Sequence, residues 1–116
     1  MMKIVASSLS LSLLVVACSG TSTGTGTDGG AARAPTIAKL TPNTAAGKTL
    51  YTDKCSICHG NDGKSGSAAR NVAEIAANSQ TRSIEQVISG SSEMPSFANM
   101  TDQQIADVLG YLKSLK

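Results

Sequence analysis

The residues that decide the fold are Cys55-Ser56-Ile57-Cys58-His59, followed directly by Gly60. Two cysteines and a histidine stand at positions i, i+3 and i+4, so in a helical turn their side chains project from one face. The motif thus presents two thiols and one imidazole together. Because glycine readily adopts the positive φ that ends a helix, we expect the turn to stop at Gly60.

The C-x-x-C-H spacing is the one used for covalent attachment of a c-type haem. Both sulfurs can reach one edge of the porphyrin. The imidazole of His59 can bind the iron as a neutral ligand, and its other nitrogen is free to donate a hydrogen bond that fixes the ring. The sequence therefore predicts one haem c with its iron, bound by Cys55, Cys58 and His59.

Three other kinds of site also use cysteines at this spacing. A thioredoxin-like redox pair needs a βαβ setting, and no strand pattern surrounds this pair. A structural zinc ion needs four ligands, but outside Cys18 the chain has only these two cysteines and a single histidine. A plain disulfide beside a surface histidine is the third alternative, and the specificity of the motif in an exported protein argues against it.

The N-terminus has the layout of an export signal. Lys3 precedes an apolar run over residues 4–17, which is too short to span a bilayer. The run ends in Leu14-Val15-Val16-Ala17-Cys18, and this stretch resembles the lipobox of bacterial lipoproteins. The resemblance implies a signal peptide over 1–17 and lipid attachment at Cys18, which becomes the mature N-terminus. An ordinary cleaved signal with an incidental cysteine is the alternative.

Composition divides the remaining chain into two parts. Residues 18–35 are rich in Gly, Ser, Thr and Ala and have few apolar side chains to bury, so we expect a lipid-anchored flexible tether there. Residues 36–116 form a single domain. The chain has no Trp, one Phe and two Tyr, so a flat prosthetic group could fill the space that aromatic side chains usually take. The net charge of +2 comes from interspersed charges, which excludes a nucleic-acid footprint.

Helical periodicity predicts an all-α domain. Gly47 lies on a helix over 44–54 and permits close approach by another helix, and Gly110 indicates a close contact or a weakness. Capping boxes are predicted at Thr101 with Gln104 and, for a helix over 83–90, at Ser83 with Gln86. The other helices are expected over 71–77 and 101–115.

A second iron ligand is expected in the segment that follows Gly90. Met94 lies just before Pro95, in a chain with no second histidine, and a thioether is a soft ligand suited to low-spin haem iron. Met94 is therefore predicted as the ligand opposite His59. Met100 is the fallback, although its position beside Thr101 leaves it less freedom to reach the iron.

From Pro42 to its C-terminus the chain resembles a class I mono-haem cytochrome c. The resemblance implies a cytochrome c fold, with three to four helices around one covalent haem. It also implies that His is the proximal ligand and Met the distal one, and that the first and last helices cross near Gly47 and Tyr111. Residues 61–70 lack the proline whose carbonyl commonly accepts the histidine hydrogen bond, so a carbonyl near 69–71 must serve or the ring is less firmly held. Trp is absent as well, and the candidates to replace it as a propionate donor are Tyr51, Arg70, Arg82 or water.

These features predict an electron carrier, not an enzyme. Its expected partners are redox proteins outside the cytoplasm and a membrane reached through the N-terminal lipid, with no nucleic acid and no small-molecule substrate. The location is periplasm-facing and lipid-anchored, on an undecided membrane. Lysines could steer an acidic partner, although solvated charges are the simpler interpretation; they are Lys48, Lys54 and Lys64. Several apolar residues should exclude water from the haem, among them Ile57, Val87, Ile88, Phe97 and Leu109.

Two alternative functions remain open. The same residues would serve a subunit that supplies electrons to a reductase or an oxidase. A gas-binding haem sensor or a peroxidase belongs to a different class, because it requires an open position on the iron. Iron held by both His59 and Met94 leaves no such position.

Overall fold

The computed structural model describes residues 29–68 and 70–116, and within these ranges it contains six helices and no strand. The all-α prediction is confirmed. The helices are α1 (Gly29–Ile37), α2 (Thr44–Lys54), α3 (Ser56–His59), α4 (Val72–Asn78), α5 (Gln80–Ser89) and α6 (Asp102–Ser114). The number exceeds the three to four expected, because the motif turn is a helix of its own and a further helix precedes α2.

Local sequence fixes the ends of α2 and α6. The side chain of Asn43 caps α2 by accepting a hydrogen bond from the amide of Ala46 at 3.1 Å. The predicted capping box of α6 is confirmed, since Thr101 and Gln104 each accept from the other's backbone amide, at 3.2 and 3.0 Å. Both helices therefore begin where their polar caps stand.

α2 and α6 pack against each other at two glycines. A Cβ on Gly47 would overlap the backbone carbonyl of Asp107 and lie 3.1 Å from the Cβ of Tyr111. This confirms the crossing expected near Gly47 and Tyr111. A Cβ on Gly110 would lie 2.6 Å from the Cγ of Pro42, so the glycine inside α6 marks a close contact. A missing side chain thus permits each approach.

A buried carboxylate joins the same helices. Asp107 is 5% exposed, and its Oδ1 accepts from the backbone amide of Asn43 at 2.7 Å and from the side chain of Gln103 at 2.8 Å. A buried carboxylate is tolerated when donors satisfy it, as they do here. Asp107 therefore secures the start of α2 against the middle of α6.

The chain between the motif and α6 differs from expectation at one cap. α4, predicted over 71–77, is confirmed to within a residue and is capped by Asn71. α5 begins at Gln80, so the capping box predicted at Ser83 and Gln86 is wrong. Ser83 lies one turn inside the helix, where its hydroxyl donates to the carbonyl of Ser79 at 2.9 Å. The predicted stop at Gly90 is confirmed by its φ of 69°.

The segment expected to be a tether over 18–35 is folded in its last part. α1 begins at Gly29, and Ala34 and Ile37 are 1% and 0% exposed. A Cβ on Gly30 would lie 3.0 Å from the Cα of Glu85, so α1 rests closely on α5. Small residues gave little sign of burial in the sequence, yet they allow two helices to pack tightly.

The other predictions for the N-terminus lie outside the described residues; they are the signal peptide over 1–17, the lipid at Cys18 and the rest of the tether. In the part of the chain that is described, no helix is long and apolar enough to cross a bilayer.

Candidate functional site

The motif forms a single turn between α2 and the loop that follows. The amides of Cys58 and His59 both donate to the carbonyl of Cys55, at 3.2 and 3.0 Å. These bonds bring the two cysteines and the histidine together as the spacing predicts. Gly60 ends the turn with a φ of 75°, which confirms its predicted role as a stop.

The side of the turn that faces the core is supported by Tyr51. This residue is 1% exposed, and its hydroxyl donates to the carbonyl of Gly60 at 2.7 Å. Burial, with the nearby Cys55, Tyr111 and Asp62 as lesser causes, raises the pKa of Tyr51 to about 12. The phenol therefore remains a neutral donor at every ordinary pH, and it fixes the end of the motif.

The loop after the motif folds back onto it. The amide of Ala68 donates to the carbonyl of Cys58 at 2.8 Å. A Cβ on Gly66 would lie 2.5 Å from the carbonyl carbon of His59, so only glycine fits against the turn at this point. The carboxylate of Asp62 accepts from the amides of Lys64 and Ser65, at 3.0 and 2.8 Å, and these bonds lower its pKa to about 2. Nothing in the spacing of the sequence marked Gly66 for this contact.

Both thiols of the motif are free of disulfides in the structure. Cys55 is half-buried and Cys58 is exposed. Burial raises the pKa of the Cys55 thiol to about 11, against the opposing effect of the Lys54 charge, so this thiol is protonated at neutral pH. Ile57, between the two cysteines, is 84% exposed, so it is not part of the protein core, and its expected role in excluding water from the haem stays a prediction. The turn points this side chain away from the core.

His59 has the properties of a metal ligand. Burial lowers the pKa of its imidazole, which favours the neutral form that binds metals. Its Nδ1 is buried, and no described group accepts or donates a hydrogen bond there. The carbonyl that was expected near 69–71 is therefore not seen among residues 29–68 and 70–116. With two free thiols in the same turn, a neutral imidazole with an unsatisfied nitrogen fits covalent haem.

The loop that carries Met94 is anchored to the end of α5. The amide of Ser91 donates to the carbonyl of Met94 at 2.7 Å, and the amide of Met94 donates to the hydroxyl of Ser91 at 3.2 Å. Further along, the hydroxyl of Ser96 donates to the carbonyl of Ile88 at 2.6 Å. Met94 is half-buried at this loop, whereas Met100 is 8% exposed and belongs to the core.

The predicted propionate donors have different environments. The Tyr51 hydroxyl is already bonded to Gly60, whereas Arg70 and Arg82 are exposed. Sequence reasoning missed a third arginine, Arg33, which lies on α1 and contacts the chain after the Met94 loop. Within the described ranges no three His, Cys, Asp or Glu side chains gather as a metal cluster.

Comparison with known proteins agrees with this geometry. Residues 42–112 match the family described as cytochrome c oxidase, cbb3-type, subunit III. The chain is also 38% identical over 82 residues to a protein of Synechocystis sp. named cytochrome c-553-like, an alignment that covers 68% of this chain and 75% of that one. No solved structure matches. The matched range contains the motif turn and Met94 but begins after α1.

Proposed function

The chain belongs to the family of c-type cytochromes described as cytochrome c oxidase, cbb3-type, subunit III, and on that basis we propose that it is an extracytoplasmic electron carrier with a His/Met-ligated haem. As a c-type cytochrome it carries covalently bound haem c and is an electron transfer protein rather than an enzyme. In our proposal Cys55 and Cys58 would hold the haem covalently, and His59 and Met94 would bind its iron.

The motif turn supports the attachment. Two thiols free of disulfides and a neutral imidazole lie in one turn, because two amides of the motif share the carbonyl of Cys55. The Nδ1 of His59 is buried and has no hydrogen-bond partner among the described residues. The gathering of two free thiols and an imidazole in this one turn carries the proposal, because it is the arrangement that covalent haem attachment needs.

Residues around the site would control the transfer. Bound haem supplies an iron that accepts and releases one electron. Because His59 and Met94 would both bind the iron, little rearrangement of the protein would accompany each electron transfer. A thioether opposite an imidazole raises the reduction potential, and buried side chains such as Ile88 and Leu109, 3% and 2% exposed, limit the access of water.

The extracytoplasmic, lipid-anchored location is part of the proposal. Attachment of haem c at C-x-x-C-H agrees with an exported chain, and the N-terminal apolar run with Cys18 supplies an export signal and a lipid site. Two or more acyl chains would hold the protein on a membrane durably. Replacement of Cys18 by Ser should move the protein from the membrane fraction to the soluble one, and retention on the membrane would refute the lipid anchor.

A second function is favoured by the family description. A chain that matches subunit III of a cbb3-type oxidase over 42–112 could instead supply electrons as part of a complex. Both functions need the same haem ligands. Gentle extraction of membranes separates them, because a carrier elutes at the size of one chain, whereas a subunit elutes at a much larger size together with cytochrome c oxidase activity.

The covalent attachment is tested on denatured protein. After export and acid extraction, the polypeptide should retain one haem, measured by its pyridine haemochrome spectrum. The double replacement of Cys55 and Cys58 by Ala should abolish retained haem, whereas Cys18→Ser, the matched cysteine control, should keep it. Haem that extracts from the parent chain would refute the attachment.

The distal ligand is tested by a pair of methionine variants. The oxidised protein should show the far-red band of an iron-thioether bond. Met94→Ala should abolish this band and allow rapid binding of carbon monoxide to the reduced protein, because it opens one iron position. Met100→Ala, in the core, should keep the band while lowering stability. A band that survives in Met94→Ala and disappears in Met100→Ala would reverse the assignment.

A further inference from the structure

α1 contacts the chain that follows the Met94 loop through one side chain, Arg33. Its Nη1 donates to the carbonyl of Ala98 at 3.0 Å, and its Nη2 donates to the carbonyl of Met100 at 2.7 Å. Its Nε donates to Oδ1 of Asp102, also at 2.7 Å. One guanidinium thereby connects three points along residues 98–102. The rigid fork of an arginine can span such a set, which the single ammonium of a lysine cannot.

The segment held by Arg33 leads directly back to Met94. The amide of Phe97 donates to the carbonyl of Val87 at 3.0 Å, and the amide of Met100 donates to the carbonyl of Phe97 at the same distance. Phe97 is thus fixed on α5, and the residues that follow it, 98–102, are held by the guanidinium of Arg33. Displacement of residues 98–100 would therefore act on the part of the chain that bears Met94.

The helix that presents Arg33 is itself firmly seated. Ala34 and Ile37 are fully or almost fully buried, and Gly30 lets α1 approach the backbone of α5 closely. The Arg33 and Asp102 side chains are 27% and 37% exposed, so water screens the ion pair only in part. Hydrogen bonds from a charged donor are stronger than neutral ones, and both carbonyls would lose theirs if the guanidinium were removed.

We infer that Arg33 is a positioning residue for Met94, which it holds in place for the iron through residues 98–102. This inference rests on the proposed function, because it takes Met94 as the distal ligand. α1 lies before the residues that match the family, 42–112, so the family match does not account for this contact. Arg33 would act on the strength of the iron-thioether bond through its bonds to Ala98, Met100 and Asp102.

The test measures how easily the thioether leaves the iron. Imidazole is titrated into the oxidised, haem-loaded full chain, where it must displace Met94 to bind. Arg33→Met removes the guanidinium but keeps an apolar stem, and we expect roughly tenfold tighter apparent binding of imidazole, equivalent to about 1.4 kcal/mol at 25 °C. Arg33→Lys should give an intermediate value. The control is Lys39→Met, which removes an equal charge from an exposed position just after α1 and should match the parent.

Each outcome decides the inference. If Arg33→Met and Arg33→Lys both bind imidazole like the parent, Arg33 does not position Met94, even if both variants melt earlier. If only Arg33→Met differs, the effect is one of charge and the positioning role is refuted. If Arg33→Met does not accumulate, Arg33→Lys alone carries the test. A parent protein that lacks the far-red band would refute the proposed Met ligation, and this inference with it.

Discussion

Replacement of Gly47 by Ala tests the packing of α2 on α6. The added Cβ would lie much closer than 3.0 Å to the backbone carbonyl of Asp107, and real Cβ atoms essentially never show so short a contact. The obstacle is therefore backbone rather than a flexible side chain. The two helices would have to separate by roughly 1 Å or more to restore ordinary contact. Overpacking of this kind costs about 1 to 3 kcal/mol, and separation also strains the bond from the Asn43 amide to Asp107.

The opposing effect is helix propensity, which favours Ala over Gly by about 1 kcal/mol. We therefore expect a net loss of about 1 to 2 kcal/mol in the free energy of unfolding, measured by urea denaturation of the haem-loaded protein. Gly29→Ala is the matched control, because its Cβ would meet only a side-chain atom of Ile88 at 4.0 Å. Gly47→Ala that is as stable as Gly29→Ala would refute the packing argument.

Three further changes test other contacts. Tyr51→Phe removes the bond to Gly60 and should cost about 1 to 2 kcal/mol in urea denaturation. Because folding raises the phenol pKa from 10.0 to about 12, its stabilisation is complete below pH 10 and is lost as the pH rises through 12, so Tyr51→Phe should flatten this alkaline decline. Ile84→Ala, at a fully buried site, should lower thermal stability by about 2 to 5 kcal/mol, whereas Ile75→Ala, at an exposed one, should stay near the parent. Thr101→Ala should lose about 1 kcal/mol by the same measurement and Thr101→Ser much less, and equal losses would contradict the capping role.

Much of the site could be predicted because it depends on short-range chemistry. The motif turn follows from the i, i+3, i+4 spacing, and the stop at Gly60 follows from the freedom of glycine at positive φ. The cap of α6 likewise lies within four consecutive residues. Such features need no knowledge of distant parts of the chain.

The contacts that sequence reasoning missed join residues far apart. Arg33 meets Asp102 across 69 positions, and Asp107 meets Asn43 across 64. Neither pair has a local signal, because each charge alone is typical of a solvated surface. The start of α5 was misplaced for a related reason, since Ser83 satisfies its hydroxyl inside the helix as well as a cap would. The spacing of Ala34 and Ile37 was the one available hint of α1.

The position of α1 affects how the electron-carrying unit should be excised. A cut before residue 36, where composition changes, would discard most of α1, including Arg33 and the buried Ala34, and would expose the side of α5 on which α1 rests. A cut before Gly29 would keep that face covered. Two fragments that differ by only seven N-terminal residues should therefore differ in solubility and in yield.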